Sequence, residues 1–191
     1  MRSSIYLVLS FVLIACAQAQ VPSPEVQIAG ALSAAPDHLV AAASVLGYDA
    51  DGAVVTLREG SNELVCLADQ PGNEQFSAAC YHASLEPFMA RGRALRAEGK
   101  SRGDVQQMRR DEIASGELAF PMEPTTLYIR YGPLADLDTE AGNYADLKLR
   151  YVIYTPYATA ESTGLPTSAV PGAPWLMNAG EPWAHIMILP Q

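Results

Sequence analysis

Two histidines and a glutamate are the residues of this 191-residue chain whose types suit a metal-assisted reaction. His82 and Glu86 stand four positions apart where a helical pattern begins, a spacing that puts both on one helix face. His185 stands in the last apolar run, Trp183 to Leu189. Two imidazoles and a carboxylate are a workable set for zinc with an open position, or for non-haem iron. Against that set, Pro87 disfavours the α conformation at Glu86, and two unrelated structural histidines satisfy the same pattern. Within so apolar a run, His185 must stay neutral with a hydrogen-bond partner or line a cavity, because a buried unpaired imidazolium is costly.

Other side chains offer different chemistry. Ser162, in Ala160-Glu161-Ser162-Thr163-Gly164, shares letters with a nucleophile elbow but lacks its first glycine and any βαβ context. It reads as the cap of a helical turn. Aromatic residues crowd the C-terminal third, and Tyr154, Tyr157, Trp175 and Trp183 are the candidate binding residues, since amphipathic rings favour surfaces for sugars or proteins. Strands also recruit such rings for packing alone. Seven basic residues, Arg91, Arg93, Arg96, Lys100, Arg102, Arg109 and Arg110, fall within 20 positions. Glu98, Asp104, Asp111 and Glu112 are interleaved with them, so the cluster reads first as a salt-bridged helical face and second as an anion-binding or partner-docking patch. No phosphate-binding glycine loop, Rossmann fingerprint or EF-hand pattern is present.

The elements that must position these residues follow from periodicity and turn signals. Asp51-Gly52 separates two β-prone runs, Val45 to Tyr48 and Ala53 to Arg58. Glu63 to Leu67 is a third, and together they read as an antiparallel meander. A polar loop from Ala68 to Ala79 follows. Leu85, Phe88, Met89, Gly92 and Leu95 then form one apolar helical stripe, capped by Ser84 and ended by Gly99. A second helix runs from the Ser101 cap to Gly116. Strands return at Thr126 to Tyr131, Leu147 to Thr155, Trp175 to Met177 and Trp183 to Leu189, the last apolar on both faces and therefore expected to be central. Gln20 to Leu32 reads as an extended lead-in, and Pro36 opens a short N-terminal helix. Cys66 and Cys80 stand where strands and helices meet, and an even pair in an exported chain is expected to form a disulfide.

Residues 1–19 read as an export signal: Arg2, a short apolar run from Ile5, then small residues. Cleavage after Ala19 would leave Gln20 first; a lipobox reading of Leu13-Ile14-Ala15-Cys16 would instead make Cys16 the lipidated first residue. The apolar run is too short to span a membrane. A net charge of −9 argues against unaided binding to nucleic acid or anionic lipid.

The segments LREGSNELVCLAD, ACYHASLEPFMARGRALRAEGKS, PTTLYIRYG, YVIYTPYATAESTGLP and PWLMNAG...AHIMI resemble a group of uncharacterised exported bacterial proteins. The resemblance covers most of Leu57 to Leu189. It implies a bacterial envelope setting and a single domain, and it brings no activity.

The chain is thus expected to be one α+β domain, residues 20–191, with an antiparallel sheet of six or seven strands, two central helices, a short N-terminal helix and a Cys66–Cys80 disulfide. The expected role is that of an exported periplasmic or extracellular protein, a non-enzymatic module that binds a protein or small molecule without a cofactor. A membrane is reached only through Cys16. The alternative is a zinc- or iron-assisted hydrolase centred on His82, Glu86 and His185.

Overall fold

The Asp51-Gly52 signal closes a hairpin between β1 (Ser44–Tyr48) and β2 (Val54–Arg58), with the Asp49 carboxylate accepting from the N–H groups of Asp51 and Ala53. The computed structural model describes residues 21–139 and 142–190; the expected export signal and Cys16 lie outside them. β3 (Leu64–Leu67) does not extend a meander, as expected, but pairs parallel with β1 on the side away from β2. To get there the chain crosses the end of β1 so closely that a Cβ on Gly60 would stand 2.2 Å from the Ser44 nitrogen. Ser61 and Asn62 donate their N–H groups to the Ala42 carbonyl, and the Arg58 guanidinium donates to the Val40 and Ala43 carbonyls. Polar contacts between distant residues hold this crossover, and hydrophobic periodicity carries no trace of them.

β4 (Gln75–His82) begins inside what reads as a polar loop, takes its last residues from Gln75 to Ala79 and runs on to His82. Phe76, Ala78 and Cys80 do alternate inward, but alanine and serine have weak β propensity, so the strand is quiet in sequence. Small residues are needed there because α1 (Pro24–Leu32), a helix where an extended lead-in was expected, lies directly on the strand. Ala31 and Ala78 are both fully buried. The buried Gln27 side chain ties the same helix to β1, accepting from Tyr48 N–H and donating to the Tyr48 carbonyl. Pro36 precedes a single helical turn, α2 (Asp37–Val40).

The remaining elements are α3 (Glu86–Ala97), α4 (Arg102–Ser115), β5 (Thr125–Pro133), β6 (Lys148–Tyr154), the one-turn α5 (Ala160–Thr163), β7 (Trp175–Met177) and β8 (His185–Ile188). All eight strands form one mixed sheet of order β2-β1-β3-β4-β5-β6-β8-β7, antiparallel except for β1 with β3, one strand more than the upper expectation. β8 is not central: it lies second from the edge, and of its residues only Met187 is buried. No helix of the described residues is long and apolar enough to cross a membrane.

Strand register assigns side chains to faces. Tyr81, Leu127, Val152, Met187 and Trp175 are successive cross-strand partners, so they project to one face, where α3 and α4 cover them. Cys66, Ala78 and Cys80 project to the other, with Ala31, Val45, Phe76 and Tyr144. Cys66 and Cys80 are direct partners across β3 and β4 and are disulfide-bonded. The bond therefore staples neighbouring strands and does not fasten sheet to helices.

Candidate anion-binding cleft

Gly99, at a φ of 78°, ends α3, and the Ser101 side chain caps α4 by accepting from Asp104 N–H. This short connection brings the end of α3 and the start of α4 together, and with them the basic cluster. The seven cations then divide into two sets. Arg91 clasps Glu112 with three hydrogen bonds of 2.6–3.0 Å, Arg93 pairs with Glu86, and Arg110 grips both oxygens of Glu181 at 2.8 Å. Arg96, Lys100, Arg102 and Arg109 have no ion-pair partner among the described residues. All four line one cleft between the helices and β5, β6 and β8.

Arg150, from β6, is the fifth cation of the cleft wall, and among the described residues no aspartate or glutamate is on it. The cleft holds about 510 Å³, within the range of small-molecule sites. Its floor is apolar, formed by Leu127, Ile129, Val152 and Met187, and Tyr154, Trp183, Asn178 and His185 are among the other lining residues.

Arg109 is the most constrained of the cations. Its guanidinium carbon sits 3.8 Å above the centre of the Phe88 ring, Nη1 donates to the Phe88 carbonyl, and Nε is buried without a partner. A Cβ on Gly92 would stand 2.9 Å from Nη1 of Arg109 and 3.4 Å from Nη1 of Arg96, so both guanidinium groups converge on the space that this glycine leaves open. Burial, and then the like charge of Arg96, pushes Arg109 down to about 10, still protonated at neutral pH. Glycine within a helix costs about 0.5–1 kcal/mol relative to alanine; here it makes room for two unneutralised cations. Arg150 likewise stacks over an aromatic ring, 4.4 Å from the centre of Tyr131, with Nε buried and unpartnered.

The residues expected to hold a metal do not come together. His82 is offset by one residue from Tyr81 and so projects to the face opposite that of His185, which is in register with Tyr154, three strands away. His82 is exposed and accepts the Ser84 N–H at Nδ1, closing the turn into α3. Glu86 accepts from the Tyr81 hydroxyl and from Arg93, and Arg93 also donates to that hydroxyl. This triad anchors α3 to β4, and burial followed by the Glu86 hydrogen bond raises the Tyr81 phenol. Among the described residues no three His, Cys, Asp or Glu side chains are grouped to hold a metal ion. Position four along a helix was the whole basis of the set, and sheet register overrides it.

His185 itself is a half-buried cleft residue. Its Nδ1 lies 2.8 Å from the Trp183 carbonyl, the geometry of a neutral ring donating there, and burial lowers its pKa below the ordinary histidine value. Of the four aromatic candidates, Tyr154 and Trp183 line the cleft, packed around Phe88. Trp175 is buried in the same core without lining it, and Tyr157 is exposed in a left-handed turn. Ser162 and Thr159 cap one another at α5, far from nucleophilic activation. Arg150 and Asn178 were missed. The alternation of Lys148 and Arg150 with apolar neighbours does mark a wet face, but nothing local says that this face meets the helices' cations.

Comparison of the chain with protein-family models, with curated proteins and with solved structures returns no match. The cleft's own chemistry must carry the functional reading.

Proposed function

We propose that this chain is an exported, non-enzymatic binding module that holds a small anionic ligand in the cleft between α3, α4 and the sheet. One observation carries the reading: in a protein of net charge −9, five cations converge on a single cleft that has no carboxylate among the described residues of its wall. Like charges gathered without counter-charges repel one another, and the arrangement is costly unless an anion completes it. Guanidinium groups suit that task because their planar donor forks match carboxylate and phosphate oxygens. The envelope setting comes from the expected signal and the resemblance of the sequence, and it belongs to this proposal.

Pyrophosphate and citrate serve as probes of the cleft. Each should raise the melting temperature of the wild-type protein in a concentration-dependent way, by the mass action of a ligand that binds only the folded state. The rise should shrink with added sodium chloride. It should vanish in Arg96→Gln/Arg109→Gln, whose circular dichroism should match wild type. Equal stabilisation of wild type and the double variant would sink the proposal.

A further inference from the structure

The cleft does not end at the cationic wall. Arg96, Leu127 and Ile129 also line a second hollow of about 430 Å³, where Leu67, Ala79 and Met89 extend the apolar floor and Gln70, Ser77 and Arg93 stand among the polar residues of the lining. The two hollows thus share an apolar floor made by β5, with Arg96 common to both. An inorganic anion would occupy a small part of this space and leave the floor wet. An apolar floor beside a pair of guanidinium groups asks for one molecule with two unlike ends.

We propose that the cleft takes an anionic amphiphile: a phosphate monoester headgroup held between Arg96 and Arg109, and an alkyl chain lying on Leu127 and Ile129 with its end in the second hollow. This rests on the anion-binding reading and names its ligand class. The headgroup follows from charge and geometry. Two guanidinium groups that converge on the space above Gly92 are best met by a dianion with three acceptor oxygens, which a phosphate monoester supplies and a single carboxylate does not. The chain follows from the floor, where Leu127 is buried and Ile129 half-buried along one line of the sheet.

The test is a calorimetric series with butyl, octyl and dodecyl phosphate, each below its micelle-forming concentration, beside pyrophosphate and dodecanol. Affinity should climb about three- to fourfold for each methylene that leaves water, and dodecanol should not compete. Ala79→Phe, which fills the second hollow, should flatten the rise from octyl to dodecyl phosphate while leaving butyl phosphate binding unchanged. If that variant does not fold, the wild-type series decides alone. Affinity independent of chain length, with pyrophosphate bound as well as dodecyl phosphate, overturns the amphiphile and leaves the anion site standing. Failure of every phosphate to bind overturns both. Neutral phosphatidylcholine vesicles doped with dodecyl phosphate separate extraction from surface docking: protein and amphiphile together in the supernatant support the proposal, whereas protein that sediments with undepleted vesicles overturns it.

Discussion

The two faces of the sheet treat their arginines in opposite ways. Under α1, Arg58 donates to the Val40 and Ala43 carbonyls, and Arg130 donates to the Ser33 and Leu147 carbonyls, so both cations are joints between backbone segments. Under α3 and α4, Arg96, Lys100, Arg102, Arg109 and Arg150 converge on open space. The first face also carries the disulfide and the close alanine contacts, and the second carries the ring cluster around Phe88 and the cleft. Both faces bury an apolar core, but the cations without a counter-charge gather on the second.

The largest effect should come from removing the staple of the first face. Cys66→Ala/Cys80→Ala should lose about 3 kcal/mol of unfolding free energy, the value for a closed loop of this length, measured by urea denaturation. A loss below about 1 kcal/mol would show that the packing of α1 holds the face unaided.

A matched pair of substitutions sharpens the contrast. Arg130→Met leaves two backbone carbonyls without their donor and should cost about 1–2 kcal/mol. Arg109→Met removes a buried cation with no carboxylate partner, and with it one donor to the Phe88 carbonyl and the stack on the Phe88 ring, so in the absence of ligand it should cost less than Arg130→Met, while stabilisation by pyrophosphate disappears. Equal destabilisation by the two would erase the distinction between the faces.

The smallest effect is a pH dependence at His185. Its folded pKa lies below the unfolded value, because burial disfavours the imidazolium. The unfolded chain therefore binds more protons below the ordinary histidine pKa of about 6.5, and stability falls as pH drops through that value towards the lower folded pKa. Above it, His185 contributes no slope. His185→Gln should flatten the acid limb below about pH 6.5; an unchanged limb would place the lost protons elsewhere.

Much of this protein is legible in its residues. The helical stripe from Leu85 to Leu95, the Ser101 cap, the Asp51-Gly52 hairpin and the C-terminal strands all form close to where periodicity and turn chemistry put them, because these signals act over a few residues. The disulfide followed from an even pair of cysteines in a chain expected to be exported. β4 was hidden because several of its residues are small and weak strand formers, and α1 because Pro22 and Pro24 and a weak apolar period mask its helix. The β1–β3 parallel pairing was hidden because its crossover depends on Gly60 and on carbonyls far away in sequence.

The basic cluster divides the two kinds of information most sharply. Sequence alone determined that seven cations and their acidic neighbours share two consecutive helices and the turn between them. Only the tertiary structure decided which cations are neutralised, because Arg110 finds its carboxylate on Glu181 and Arg150 reaches the cleft from a distant strand. The same holds for the histidines, whose types suggested a metal site until register sent them to opposite faces. Charge is a property of residues, but pairing and convergence are properties of distance, and distance between remote segments is set by packing.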